Sequence, residues 1–182
     1  MIYKALLFDL DSTLWDFHSA ENYALTKLLE KQGVEDVEAY IDDYEAILST
    51  QGQTYEGAEE LLQALQNAGY DLYAATNGIT TIQKGRLSNS PIAKYFKKVF
   101  ISEEVGAQKP SEVFFERVAG EIPDYDKDKA VIIGDSLTAD IQGGINAGID
   151  TIWMNLAAKE NRTAIKPTVE VRSYAELLEF LV

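Results

Sequence analysis

The sequence predicts an α/β fold built on a parallel sheet, because short apolar runs alternate with helix-length amphipathic stretches along a single chain of 182 residues. Five apolar runs are too short for buried helices, and most are rich in Val, Ile, Leu or aromatic residues, as expected of strands that are covered on both faces. The length corresponds to roughly one domain. The predicted strands are residues 5–8, 72–75, 99–102, 131–134 and 151–154.

Between these runs, helix signals predict the crossover connections of a parallel sheet. Glycines mark two helix ends, Gly69 and Gly148, and serines mark two helix starts, Ser111 and Ser173. The sequence contains no internal repeat and no low-complexity linker. The predicted helices are residues 58–68, 111–121, 138–147 and a final helix that runs to residue 181.

Residues 17–54 interrupt the alternation, since they contain two helical patterns and no strand. We interpret this segment as an αα-hairpin inserted between the first strand and the first crossover helix. Packing of its apolar stripes against each other and the body is favoured over binding of a partner. The first stripe contains Ala24, Leu25, Leu28 and Leu29 and stops at Gly33; the second contains Val37, Tyr40, Ile41, Tyr44, Ile47 and Leu48 and precedes Gly52.

Composition excludes several classes of function. The 16 Lys and Arg against 30 Asp and Glu give a net charge of −14, which disfavours binding to a nucleic-acid polymer or an anionic membrane. There is no Cys, and His18 is the only His, so a bound metal would have carboxylate ligands. Without a signal-peptide or membrane-helix pattern, we expect a soluble, cytoplasmic protein, and the acidic surface predicts a monomer.

Polar residues follow two of the predicted strands. The first strand runs into Asp9 and Asp11, and the second runs into Thr76, Asn77 and Gly78. Ligands of open parallel sheets bind at the carboxyl ends of the strands. Two carboxylates, a hydroxyl and an amide at that edge favour a site for a metal or an anion, although each motif alone also suits an ordinary turn.

Two further signals have the same placement. Lys109 immediately precedes a helix start, where backbone N–H groups also favour negative charge. Asp135 follows the fourth strand, and Asp140 lies five residues later, across the turn into the next helix. Each signal alone is common, but the four together in this order are unlikely to arise by chance.

The four motifs in this order resemble those of the haloacid dehalogenase superfamily, which are an Asp-x-Asp-x-Thr, a Thr or Ser after the second strand, a Lys, and a Gly-Asp followed by a further Asp. The resemblance implies a three-layer Rossmann-like fold with a five-stranded parallel sheet in the order 5-4-1-2-3. It also implies a catalytic core of residues 1–16 and 55–182, with a C1-type helical cap at residues 17–54.

Longer segments resemble the bacterial pyrimidine 5′-nucleotidase branch of this superfamily: residues 8–17 (FDLDSTLWDF), 100–110 (FISEEVGAQKP) and 134–153 (GDSLTADIQGGINAGIDTIW). This resemblance implies a Mg²⁺-dependent phosphatase whose substrate is a small phosphomonoester. Asp11 favours phosphoryl transfer over dehalogenation, since the dehalogenases resemble this chain in the nucleophile but lack a second Asp there. The alternatives are a sugar-phosphate phosphatase or mutase, and a cap-truncated variant that binds Mg²⁺ and phosphate with little turnover.

The resemblance implies that Asp9 is the nucleophile and forms an aspartyl-phosphate, and that Asp11 is the general acid and base. Asp9, the main-chain carbonyl of Asp11, and Asp135 would bind Mg²⁺. Four clustered carboxylates and a phosphate dianion repel one another strongly, because each like-charge pair at 4 Å costs about 4 kcal/mol at an effective dielectric of 20. Lys109 offsets only one charge, so a hard divalent cation is expected.

For the phosphoryl oxygens, the resemblance implies binding by Thr76, Asn77 and Lys109. Asp140 would support the metal cluster or orient Lys109. Ser12 stands where the family usually has Gly or Asn.

The cap is the main departure from the family, since it is normally a bundle of roughly four helices and this insertion supplies two. A shortened cap is expected to weaken specificity and raise KM more than it damages phosphoryl transfer. Trp15, Phe17 and His18 lie at the entry to the cap and could stack on a base, but core or hinge packing is the favoured interpretation.

Overall fold

The computed structural model describes residues 2–30 and 37–182, with side chains described outside residues 29–40. None of the described helices is both long and apolar enough to cross a bilayer. The strands are β1 (Ala5–Phe8), β2 (Asp71–Thr76), β3 (Lys98–Ile101), β4 (Ala130–Gly134), β5 (Asp150–Met154) and β6 (Val169–Val171). The helices are α1 (Phe17–Glu30), α2 (Val37–Leu48), α3 (Ala58–Asn67), α4 (Thr80–Ser88), α5 (Ser102–Val105), α6 (Glu112–Gly120), α7 (Gln142–Ala147) and α8 (Tyr174–Leu181).

The sheet is parallel, with the strand order β3-β2-β1-β4-β5-β6. The predicted α/β class and the predicted order of the first five strands are confirmed. The predicted number of five strands is too small, because β6 pairs with β5 and forms a sixth strand at the edge. No local pattern predicts β6, since Val169, Glu170 and Val171 are only three residues with a charge at the centre.

Side chains of the central strand alternate between two cores, as the period of a β-strand requires. On one face, Leu6 and Phe8 pack with residues of α3 and α8. On the other face, Ala5 and Leu7 pack with residues of α6, including Phe114. Because helices cover both faces, β1 is buried along its whole length, which explains its continuous apolar run.

Several element boundaries differ from the predictions. Ser102 begins α5 instead of ending β3, and the helix predicted at 138–147 opens with a π-helical turn, Leu137–Ile141, before α7. Ser173 caps α8 by accepting a hydrogen bond from the N–H of Glu176 at 3.1 Å, whereas the Ser111 side chain makes no such bond at the start of α6. The helix α4 was not predicted, because its residues are mostly polar.

The insertion contains two helices, α1 and α2, which pack against each other. Ala20, Ala24 and Leu48 form a small apolar cluster with Ile82 of α4. The prediction that the stripe residues pack inward is wrong for Leu25 and Ile41, which are exposed. Of the other stripe positions, Gly33 lies outside the described residues, and the side chains of Leu29, Val37 and Tyr40 lie outside the described side chains.

The two linkers that join the insertion to the body run side by side. Trp15 and Thr54 form an antiparallel bridge. The N–H of Asp16 donates to the carbonyl of Gln53 at 3.2 Å, and the N–H of Tyr55 donates to the carbonyl of Leu14 at 3.0 Å. The outgoing and returning chains are therefore fastened to each other where they leave the body.

Candidate active site

The candidate site lies at the carboxyl ends of β1, β2 and β4. These strands are neighbours: the chain goes from β1 outward through β2 to β3 and then returns to β4 on the other side of β1. Such a reversal opens a crevice in which ligands bind. Asp9, Thr76 and Asp135 therefore reach one place although they are far apart in sequence.

Lys109 is fully buried and connects two of the predicted acids. Its Nζ lies 2.7 Å from Oδ1 of Asp9 and 2.7 Å from Oδ1 of Asp140, and it donates a third hydrogen bond to the carbonyl of Ala75 at 2.5 Å. The three N–H groups of the ammonium are thus all used. The hydroxyl of Thr13 donates to Oδ2 of Asp9 at 3.3 Å, so both oxygens of Asp9 are held in place.

The charges of this group depend on one another. Burial by itself lowers the pKa of Lys109, but the carboxylates of Asp140 and Asp9 overcome it, so the pKa lies above its ordinary value and the ammonium persists. Burial raises the pKa of Asp9, Lys109 lowers it, and Asp140 raises it again. The net direction of the Asp9 pKa is upward, because burial, together with Asp140, outweighs the attraction of Lys109.

Asp135 completes the acidic cluster. Carboxylate oxygens of Asp9, Asp135 and Asp140 lie within 4.8 Å of one another. The indole N–H of Trp153 donates to the Asp135 carbonyl at 2.8 Å and fixes its backbone. Burial, followed by the charge of Asp140, raises the pKa of Asp135 from its ordinary 3.8 to about 6.

Asp140 reaches the cluster because residue 134 is glycine. A Cβ on Gly134 would lie 2.3 Å from the Asp140 carboxyl carbon. Oδ2 of Asp140 accepts from the N–H of Ser136 at 3.0 Å while Oδ1 faces Lys109. Both oxygens are therefore engaged by the protein, as expected of a residue that orients Lys109.

Asp11 turns toward α4. Its Oδ1 accepts from Arg86 at 2.5 Å, and its Oδ2 accepts from the amide of Gln83 at 3.1 Å. Sequence reasoning missed both partners, because α4 has no strong apolar stripe and nothing local marks Arg86 as buried. Arg86 is a second cation beside the acids, in addition to Lys109.

The two residues predicted to bind phosphate after β2 have different surroundings. Oγ1 of Thr76 accepts from the amide of Gln83 at 2.7 Å. The amide of Asn77 is committed to the Lys109 backbone, donating to its carbonyl at 3.0 Å and accepting from its N–H at 2.9 Å. The Asn77 side chain thus positions Lys109, and an anion would meet the Asn77 backbone instead.

The residues between the first motif and the cap have structural surroundings. Ser12 has φ of 60°, in the left-handed region that favours Gly and Asn, which is the physical basis of the family preference. Trp15 is fully buried, whereas His18 is exposed. Trp15 therefore packs inside the hinge and offers no open face for a base.

The donor set fits a hard divalent cation. Asp9 and Asp135 provide carboxylate oxygens close together, and no softer ligand enters the cluster within the described residues. Burial and the charge of Asp140 raise the pKa of both Asp135 and Asp9, so a bound cation would favour the ionised form of each carboxyl.

Comparison with known proteins agrees with this geometry. The model of the haloacid dehalogenase-like hydrolase family matches residues 17–154. The chain belongs to this family. It is therefore a hydrolase, and its α/β fold with a parallel sheet is that of the family.

Two sequence relatives and one structure are informative. The chain is 45% identical over 227 residues to the pyrimidine 5′-nucleotidase PynA of Streptococcus pneumoniae, covering 100% of this chain and 96% of the relative. It is 37% identical over 126 residues to the pyrimidine 5′-nucleotidase YjjG of Escherichia coli, covering 69% and 55%. A magnesium-bound crystal structure of the HAD-hydrolase YfnB from Bacillus subtilis has a TM-score of 0.91 at 34% identity, covering 100% of this chain and 99% of that chain.

Proposed function

We propose that this hydrolase is a Mg²⁺-dependent phosphomonoesterase that acts on pyrimidine nucleoside 5′-monophosphates through an aspartyl-phosphate on Asp9. The observation that carries the proposal is the Asp9 carboxylate, held by Lys109 and Thr13 beside Asp135 at the crevice of the sheet. A buried carboxylate with both oxygens fixed is oriented for attack on phosphorus.

Asp9, the main-chain carbonyl of Asp11, and Asp135 would hold the metal. Mg²⁺ supplies charge neutralisation and orients the phosphoryl group when it is bound. The YfnB structure is bound to magnesium, and this chain shares its fold at 34% identity, which supports the same ion here. Asp140 supports the site through Lys109, because its own oxygens are engaged.

The reaction has two displacements. In the first, an oxygen of Asp9 forms a bond to phosphorus, the bond to the leaving oxygen breaks, and Asp11 gives that oxygen a proton. In the second, Asp11 takes a proton from water, the water oxygen attacks phosphorus, and the Asp9 carboxylate is released. The charge of Lys109, the hydroxyl of Thr76 and the backbone at Asn77 stabilise the phosphoryl oxygens in both steps.

The substrate class is supported by the relatives. Both PynA and YjjG are named pyrimidine 5′-nucleotidases, and the PynA match covers all of this chain. A sugar-phosphate phosphatase is the alternative within the enzymes, and a module that binds Mg²⁺ and phosphate with little turnover is the alternative outside them. The three differ in the outcome of one substrate panel.

We propose further that residues 1–16 and 55–182 are the catalytic core and that residues 17–54 are a shortened cap. The alignment with PynA spans 227 residues and this chain has 182, so at least 45 alignment positions (227 − 182) hold no residue of this chain. A cap of two helices supports that assignment. The smaller cap excludes less water and makes fewer substrate contacts, so a raised KM is expected.

The test is phosphate release from UMP, dUMP, TMP, a hexose phosphate and an aryl phosphate, each with Mg²⁺ and with EDTA. Turnover that requires Mg²⁺ and favours the three nucleotides is the expected result. Preference for the hexose phosphate would replace the substrate class, and turnover of the aryl ester alone would show chemistry without selectivity. The absence of turnover on all five esters would favour the binding module.

Magnesium is expected to stabilise the protein more at pH 7.5 than at pH 5.0. Burial and Asp140 raise the pKa of Asp135 to about 6, so the ligand is ionised at pH 7.5 and largely protonated at pH 5.0. A ligand that binds only the native state stabilises it by about 2.7 kcal/mol at 100 times its dissociation constant. Thermal unfolding with and without Mg²⁺ at the two pH values measures the effect.

In the metal-free protein, the contribution of Asp135 to stability should change with pH in the opposite direction. The native pKa of Asp135 lies above its ordinary value, so its stabilising contribution is present at low pH and is lost as the pH rises through about 6. Asp135→Asn should remove most of the magnesium-induced shift at pH 7.5. An equal magnesium shift at both pH values, or in Asp135→Asn, would contradict the assignment of Asp135 as a ligand.

A further inference from the structure

Arg86 is a fully buried cation that the proposed reaction does not use. Its Nε donates to the carbonyl of Gln51 at 2.9 Å, and one terminal nitrogen donates to Asp11 at 2.5 Å. The other terminal nitrogen is buried and has no hydrogen-bond partner among the described residues. An arginine is rarely buried unless it is paired, and a buried donor without a hydrogen bond is uncommon in native structures and requires an explanation.

The guanidinium touches both linkers of the cap. Its carbon lies 4.2 Å from the ring centroid of Trp15, on the outgoing linker, and 5.6 Å from that of Phe17, the first residue of α1. The bond to Gln51 is on the returning chain. The two chains are also hydrogen-bonded to each other, and we call this paired segment the hinge. Arg86 therefore contacts both chains of the hinge.

The chain that returns from the cap, at residues 49–52, packs closely against α4. A Cβ on Gly52 would lie 2.5 Å from the carbonyl oxygen of Arg86, and a Cβ on Gly85 would lie 2.7 Å from the carbonyl oxygen of Ser49. Only glycines permit such an approach of two backbones. A displacement of the cap would therefore change the contacts of Arg86.

The same residue holds Asp11. Arg86 and Gln83 occupy the two carboxylate oxygens of Asp11, and Gln83 also donates to Thr76. Each oxygen accepts one of these bonds and keeps a second lone pair, so the two bonds fix the direction of the Asp11 carboxylate without blocking proton exchange. The bond from Arg86 thus affects where the Asp11 carboxylate points.

We propose that Arg86 is a positioning residue that couples the cap linkers to Asp11. Movement of the hinge changes the contacts of Arg86 with Trp15 and Gln51, and this changes the hold of Arg86 on the Asp11 carboxylate. The unpartnered nitrogen provides a donor for a second arrangement in which Asp11 has turned away. This inference rests on the proposed role of Asp11 as general acid and base.

The kinetic test is a double-mutant cycle with Arg86→Met, Asp11→Asn and the double variant. The substrates are UMP, whose leaving group needs a proton, and p-nitrophenyl phosphate, whose leaving group needs little help. We expect Arg86→Met to lower kcat for UMP about 10- to 100-fold and kcat for the aryl ester much less. In the Asp11→Asn background, Arg86→Met should cause no further loss. Arg86→Lys should restore part of the UMP activity.

The same cycle is read by hydrogen exchange, which does not depend on activity. Arg86→Met should make the hydrogen-bonded amides of Asp16 and Tyr55 exchange about 10-fold faster. Asp11→Asn should also speed this exchange, and the double variant should add little. Arg162→Met removes an exposed arginine and serves as the matched control, with unchanged kcat and exchange.

Each outcome decides the proposal. The coupling would be overturned if the fold-losses of kcat from Arg86→Met and Asp11→Asn multiplied in the double variant. It would also be overturned if Arg86→Met lowered kcat equally on both esters or left the exchange rates unchanged. Absence of phosphate release by the unaltered protein would instead defeat the proposed function, and the exchange cycle would still show whether Arg86 links the hinge to Asp11. Additive exchange effects in that cycle would overturn the link.

Discussion

Asp9→Asn is expected to reduce phosphate release by about 10⁴-fold or more while the protein stays folded. An asparagine amide is a poor nucleophile toward phosphorus, and no other described carboxylate has the position of Asp9 between Lys109 and Asp135. The structural cost is small because Lys109 keeps Asp140 and the carbonyl of Ala75 as partners. Initial rates with UMP and Mg²⁺, together with thermal unfolding, measure both effects.

The matched control is Asp128→Asn, which makes the same chemical change at a surface position far from the cluster. Its turnover and unfolding temperature should equal those of the unaltered protein. Incubation with labelled substrate should also trap an acid-stable protein phosphate only when Asp9 is present. Normal turnover in Asp9→Asn would remove Asp9 as the nucleophile and with it the proposed mechanism.

Lys109→Met is expected to lower both turnover and stability. The substitution leaves the carboxylates of Asp9 and Asp140 buried without their shared cation, and breaking a buried ion pair in this way costs about 3–5 kcal/mol. Loss of a charge that stabilises the phosphoryl oxygens should lower kcat by about 10²- to 10³-fold. Urea unfolding at pH 7.5 and steady-state kinetics with UMP measure the two losses.

The stability loss in Lys109→Met should shrink at pH 5.0. Burial already raises the pKa of Asp9, and Lys109 is the charge that lowers it, so its removal raises that pKa further. A carboxyl with a raised native pKa stabilises the protein at low pH and loses this contribution as the pH rises. Lys98→Met removes an exposed lysine paired with Glu121 and is the control, with little change at either pH. An equal loss at both pH values would contradict the role of the buried charges.

The candidate site could be predicted largely from local sequence. An apolar run that ends in polar residues predicts both a buried strand and its carboxyl end, and this applies to Asp9, Thr76 and Asp135. Parallel pairing then brings these ends together without further information. Lys109 and Asp140 were predicted from the order of the motifs, and the structure places Lys109 between Asp9 and Asp140.

Other features had no local signal. The strand β6 is three residues long, and it exists because β5 offers an unpaired edge. The helix α4 is mostly polar, yet Gln83 and Arg86 are buried on it, since Gln83 bonds Asp11 and Thr76 and Arg86 bonds the returning chain at Gln51. The Asn77 amide suits an anion as well as a turn, and only the position of the Lys109 backbone showed that the amide is used within the protein.

The sequence by itself determined the α/β class and placed the acids at the ends of strands, because strand burial and parallel crossovers follow from hydropathy and chain order. The order of the five strands was implied by the resemblance of the four motifs to the haloacid dehalogenase superfamily. Only the tertiary structure decided which charges are paired, that Arg86 bonds Asp11, and that the cap linkers lie on α4. Charge pairing depends on distances between residues far apart in the chain, and burial of a charge depends on the residues that cover it. Neither can therefore be predicted from the local sequence pattern.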